Sequence, residues 1–204
     1  MYQVTTSTIP LKITRKLDNT IALNLNNYEF NNEQILSDRQ LNLFGALQSL
    51  KIKNPDLTVA DESSKLFLKL KTKNINFNTY KEKYLLSFQG HFVQEKFNNA
   101  SLDFKAHYSR DDGAIKLETA IQDFVPSELK NFNGEQFALL AQINSGISGF
   151  SLVELGKHRK IKSYSGHVKA KNLQISYPDR FNKKLKIENF YTSFNSTIDN
   201  PSVN

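Results

Sequence analysis

The sequence has no cysteine and no tryptophan, one methionine, and only 8 glycines and 5 prolines in 204 residues. Without cysteine there is no disulfide staple, no thiolate nucleophile and no Cys-ligated zinc. The absence leaves the compartment open, because a protein of an oxidising compartment need not use disulfides. Scarce Gly and Pro argue against a linker-rich multidomain chain. No apolar run approaches the ~20 residues that a membrane-spanning helix needs. The first stretch, Met1 to Lys16, lacks the basic start and apolar centre of a signal peptide. Taken by itself, the chain reads as soluble and cytoplasmic. No phosphate loop and no dinucleotide fingerprint occurs, so no cofactor is expected.

What is present is aromatic and basic. Phe (15) and Tyr (8) supply much of a 39% hydrophobic content, a composition suited to pleated surfaces. The formal net charge is +7, which suits nucleic acid or anionic membranes. No RNA-binding aromatic signature accompanies that charge. We therefore read it as a solvated Lys/Asn-rich surface and expect no nucleic-acid partner.

The dominant pattern is alternation with period two. Leu66, Leu68 and Leu70 alternate with lysines, and Ile75 and Phe77 lie between asparagines. Leu102, Phe104, Ala106 and Tyr108 form another run, as do Ile115, Leu117, Thr119 and Ile121. Val168 and Ala170 alternate with Lys169 and Lys171 near the C-terminus. Asp111-Asp112-Gly113 reads as a hairpin turn, and Gly156 to Lys160 as a polar hairpin tip. The expectation is an all-β chain, a curled antiparallel β-sheet meander with a groove-like apolar side and short helical pieces only. One such piece is expected at Pro126–Asn131. Residues 38–50 fit either a helix or a strand. The expected division is a partial β segment over 1–44, open to truncation upstream, a β domain over 45–198 and a tail over 199–204.

Candidate chemistry is sparse. Asp61-Glu62 and Asp111-Asp112 are acidic pairs, but neighbours on a strand point to opposite faces, and turn roles explain both. His91, His107, His158 and His167 show no metal-ligand spacing, so no metal site is expected. Ser145-Gly146-Ile147-Ser148-Gly149 lacks the order of a nucleophile elbow, and no helix pattern follows it. The basic clusters Lys157 to Lys162 and Lys183-Lys184 suit either anionic headgroups or a charged, soluble hairpin tip. No catalytic residue is assigned, and the chain is not expected to be an enzyme.

The stretch from Leu50 through Asn54-Pro55 and Leu57-Thr58-Val59 to Asp61-Glu62-Ser63-Ser64 resembles the AsmA-like envelope proteins of Gram-negative bacteria, in particular the branch with the YhdP-type domain. The likeness continues through Leu102-Asp103-Phe104, the Asp111–Gly113 hairpin, the run from Ile121 to Leu129, and Gly166 to Ile175, covering roughly residues 45–198. It implies a long β-rich rod on the periplasmic side of the inner membrane, with a groove that passes phospholipid. The implied lipid-facing residues are Leu66, Leu68, Leu70, Ile75, Phe77, Leu102, Phe104, Ile115, Leu117, Val168 and Ile175, and the implied partner is the acyl chain. The chain is shorter than such proteins, lacks their membrane anchor and begins in mid-pattern. It is therefore expected to be a fragment whose other partner is the remainder of a longer, split protein. The alternative is a β-sandwich interaction module whose apolar faces close on each other.

Overall fold

The computed structural model describes residues 2–7, 10–18, 20–25, 28–30, 47–93, 97, 100–131, 140–157, 160–176 and 184–198. They form a single 13-stranded sheet. The strands are β1 (Tyr2–Ser7), β2 (Leu11–Arg15), β3 (Ile21–Leu25), β4 (Tyr28–Phe30), β5 (Leu47–Lys53), β6 (Asp56–Asp61) and β7 (Leu66–Tyr80). There follow β8 (Lys83–Phe92), β9 (Ser101–Ser109), β10 (Ile115–Phe124), β11 (Ile147–Leu155), β12 (Ile161–Ile175) and β13 (Leu185–Thr197). A 3-10 helix covers Pro126–Asn131, where a short helical piece was expected. Of the ambiguous stretch 38–50, residues 47–50 lie in β5, and 38–46 fall outside the described residues.

From β7 to β13 each strand pairs antiparallel with its predecessor. The all-β, antiparallel-dominated expectation holds. The N-terminal end departs from a meander. β5 and β6 lie end to end along β7, and β1 and β2 run parallel to β5 and β6. A parallel pair needs a connection of a dozen or more residues, and the stretch between β2 and β5 supplies it. Alternation reveals which side of a strand is apolar, but not the direction of its neighbour. β1 to β4 thus belong to the same sheet as the later strands.

The sheet ends at β13 on one side and at β4 and β1 on the other, and no described strand joins the two sides. The chain exposes 14098 Å², whereas a compact protein of 23.4 kDa exposes about 9,700 Å². A sheet without a second packed layer exposes more than a compact globule. The two packed layers of a sandwich are absent among the described residues.

The clustered core sits at one end. Leu57, Leu70, Phe92, Phe97, Ala100, Phe124 and Leu129 form a buried cluster. Phe97 and Ala100 come from the β8–β9 connection, and Leu129 from the 3-10 helix. Three phenylalanines meet there. Phe92 lies 5.5 Å from Phe97 and 5.7 Å from Phe124, and Phe97 stacks on Phe124 at 5.0 Å. The cluster therefore plugs the ends of β7, β8 and β10.

An ionic clasp fixes the ends of the parallel pair β2–β6. Arg15 and Asp61 are register partners, with Nη2 2.9 Å from Oδ2 and Nε donating to Oδ1 at 3.1 Å. Ser63 donates to the same carboxylate through its amide and its hydroxyl. Burial opposes ionisation of Asp61, but donors on Ser64 and Ser63 outweigh it and hold the pKa at about 2, below the ordinary 3.8. The folded state thus binds this proton more weakly than the unfolded state. The clasp contributes fully above about 3.8 and fades as pH falls toward 2. Asp61→Asn should lower the melting temperature at pH 7 and lose most of that effect near pH 2. An equal deficit at both pH values in thermal melts would count against the clasp.

Candidate apolar binding face

Cross-strand partners in a sheet share a face, so the register assigns each residue. Leu66, Leu68 and Leu70 point one way, with Val59 opposite Leu68 and Leu57 opposite Leu70. Ile75 and Phe77 are an odd number of residues further on, and strict alternation would send them to the other side. The register against β8 slips by one between Thr72 and Asn74, which leaves Lys73 as a bulge. Leu70, Ile75 and Phe77 then face Phe92, Phe88 and Leu86 on one common side. The same face continues to Leu102 and Phe104 opposite Gly90 and Phe88, and to Leu117 and Ile115 opposite Ala106 and Tyr108. It reaches Val168 through Ile121 and Gly149. Ile175 lies beyond Asn172, whose φ is 52°. There the buried positions step from Ala170 to Leu173, and Ile175 bridges Ile143, upstream of β11. The register thus brings the residues expected to line the groove to one face, except Ile175, which stands an odd number of residues beyond Val168 with the β12–β13 pairing in step throughout.

They are not equally available. Leu70 is 1% exposed and Ile75 5%, so neither offers surface to a ligand. Leu66 and Leu68 pack against the plug. Phe77, Phe104, Ile115, Leu117 and Val168 are half-buried, with no second layer above them among the described residues. Phe88 stacks on Phe104 at 5.2 Å, and Phe77, Tyr84 and Tyr108 form a stacked row at 5.9 Å spacings. The expected groove lining left out Leu86, Val153, Tyr164 and Phe194, which the register places on the same face. Alternation within each strand was their available signal. What it lacked was the phase between strands.

At the hairpin end of the face the polar atoms are tied back. The Tyr84 hydroxyl beside Arg110 raises the guanidinium pKa further, and Glu82 lies 3.5 Å from Arg110 Nε. Asp112 accepts the Ala114 amide at 3.0 Å. That bond, with the Ser109 hydroxyl, lowers its pKa. With Gly113 at φ 66°, this is the expected turn. The opposite face is wet. Lys69, Lys71, Gln89, His91, Lys105 and His107 are exposed there, and Gln89 donates to Asp103 at 2.7 Å. A concavity of about 440 Å³ at β2 and β3, lined by Lys12, Thr14, Lys16, Asn24 and Glu62, holds no nucleophile–base pair.

Among the described residues the candidate groups sit in turns, strand braces and aromatic stacks. His167 stacks between Phe150 at 6.3 Å and Tyr191 at 5.8 Å. His158 and Arg159 of the basic hairpin, and Lys183, lie outside the described residues, while Lys157, Lys160, Lys162 and Lys184 are exposed. Among the described residues no three His, Asp or Glu side chains converge as metal ligands. Ser145 and Ser148 accept the amides of Gln174 (3.0 Å) and Asp123 (3.1 Å), bracing strand irregularities rather than forming an elbow. No helix among the described residues is long and apolar enough to cross a membrane. No protein-family model matches the chain, and neither a curated protein nor a solved structure is significantly similar to it.

Proposed function

We propose that this chain works without catalysis, by offering the open apolar face to acyl chains. In this reading it is a segment of an AsmA-like envelope protein on the periplasmic side of the inner membrane, acting in phospholipid transport or outer-membrane maintenance. The observation that carries the acyl-chain reading is the register, which gathers Phe77, Phe104, Ile115, Leu117 and Val168 on one face and leaves them half-exposed. The resemblance at Leu50–Ser64 and Ile121–Leu129 supports the envelope assignment. From β7 to β12 the face spans ~24 Å at about 4.8 Å per strand, enough for an acyl tail that fills ~15 Å of a bilayer leaflet. Each methylene taken from water contributes about 0.8 kcal/mol, so a tail bound along a stretch of the face needs no polar anchor for micromolar affinity.

The test is titration of the purified chain with a fluorescent fatty acid, with Leu117→Asp as the variant. Leu117 is half-buried at the centre of the face. A carboxylate there stays hydrated in the free protein but must be desolvated beneath a bound tail. Affinity should fall at least tenfold, about 1.4 kcal/mol, with an unchanged circular dichroism spectrum. A parent chain that binds no apolar probe would end this reading.

A further inference from the structure

β13 has β12 on one side, and among the described residues no strand pairs with its other side. Ile198 donates to the Lys162 carbonyl at 2.7 Å, and the pairing stays in step back to Phe190 opposite Ala170. Hydrogen bonding in an antiparallel pair alternates. The amides and carbonyls of Phe190, Thr192, Phe194 and Ser196 therefore turn toward β12, and those of Tyr191, Ser193 and Asn195 turn outward. A row of outward donors and acceptors at strand spacing fits one kind of occupant, another extended strand.

Protein sheets usually blunt such edges with charge, proline, bulges or brevity. The far side of this sheet ends in two shorter strands, β4 of 3 residues and β1 of 6. β13 is 13 residues long, and from Asn189 to Ile198 it carries no charge, no proline and no glycine. Its apolar side chains are left out in water, with Tyr191 67%, Phe194 39% and Ile198 46% exposed.

We propose that β13 pairs antiparallel with β13 of a second copy of this chain. The neutral run from Asn189 to Ile198 suits self-pairing. Laid against itself about a two-fold axis it opposes no like charges, and Lys184, Lys186 and Glu188 fall at the margin. Phe190 and Phe194 lie on the apolar face, so the pairing makes the apolar faces of both copies continuous. The two-fold also closes the assembly, because among the described strands each copy has one edge strand of this length and uses it once. The contact is one strand pair wide, smaller than the ~1,600 Å² of a standard interface, so micromolar dissociation is expected.

Sedimentation velocity of the full chain between about 1 and 100 µM should show a monomer–dimer equilibrium. Ser193→Pro removes an outward amide and none of the bonds to β12, at an edge position where proline is tolerated. It should weaken dimerisation at least tenfold and leave the circular dichroism spectrum unchanged. Ser193→Lys combined with Asn195→Lys should do the same by charge repulsion, and it decides the matter if the proline variant loses its fold. A parent that stays monomeric over the whole range overturns the proposal. So does a folded variant that dimerises like the parent.

Discussion

Leu70→Asp is expected to abolish cooperative thermal unfolding altogether. Leu70 is 1% exposed, opposite Leu57 on one side and Phe92 on the other, inside the cluster that plugs the sheet. Lys69 and Lys71, its neighbours in sequence, point to the other face, so no cation stands by to pair with a new carboxylate. An unpaired charge in such a site costs several kcal/mol, and even the protonated acid leaves a polar group without a partner. A domain has about 5–15 kcal/mol to lose. The other buried apolar residues described, Ala22, Ile52, Ile75, Tyr84, Ala170 and Leu173, lie outside this cluster, so the loss is not absorbed elsewhere. Circular dichroism during heating should show a sloping trace with no transition. Leu117→Asp, on the same face two strands beyond β8, should keep its transition within a few degrees of the parent. If both variants melted alike, the division between plug and open face would be wrong.

The second large effect is expected at Gly166. This glycine faces Phe194 across the β12–β13 pair and Ser151 across the β11–β12 pair. A Cβ built there would collide with the Phe150 carbonyl oxygen and come within 2.7 Å of the Phe194 ring. The ring can swing away, but the carbonyl belongs to the ladder that holds β11 to β12. Gly149, on the adjacent strand, is constrained in the same manner, with the His167 carbonyl 2.6 Å from its missing Cβ. Gly166→Val therefore has to push β11 and β12 apart, and no second layer of described residues clamps them together. Overpacking of this kind costs about 3 kcal/mol or more, equivalent to a fall of roughly 6–12 °C in melting temperature for a chain of this size. Phe194→Ala in the same background should recover only the share due to the ring. A Gly166→Val protein that melts with the parent would show that β11 and β12 are not packed this closely.

Much of the sheet could be read from the chain, and the reasons differ from element to element. Leu102 to Tyr108 and Ile115 to Ile121 announce two strands by alternation, and Asp112-Gly113 between them announces the turn. All three lie where the pattern puts them. Pro126 marks the start of the short helix. The Leu66–Leu70 and Ile75–Phe77 runs were each legible, but not that one face holds both, because the bulge at Lys73 leaves no composition signal. The parallel pairing of β1 and β2 was hidden for a different reason. Direction is decided by what the chain does between strands, and period-two patterning is identical in both directions. The unequal burial of the face was also beyond reach. Leu70 and Phe77 look alike in sequence, and they differ because Phe97 and Leu129 arrive at one end of the sheet and not at the other.

The bulge at Lys73 does not stand alone. Asn54, at φ 50°, donates its amide to the Lys73 carbonyl at 2.9 Å, and Pro55 receives the Thr72 amide at 3.3 Å, at the point where β5 gives way to β6. The next strand over breaks at the same level, between β1 and β2. In the language of lattices this is a dislocation, one extra residue per row admitted along a line that crosses three strands. The rows on either side are shifted by half a repeat, and each is regular within itself. Loss of Lys73 alone would heal its own row, with Leu70, Ile75 and Phe77 on one face by plain alternation, but it would put that row out of step with β5 and β6, which keep their extra residue. Growth or shrinkage of these strands by single residues is consistent with the fold only if the fault line is carried across all of them together.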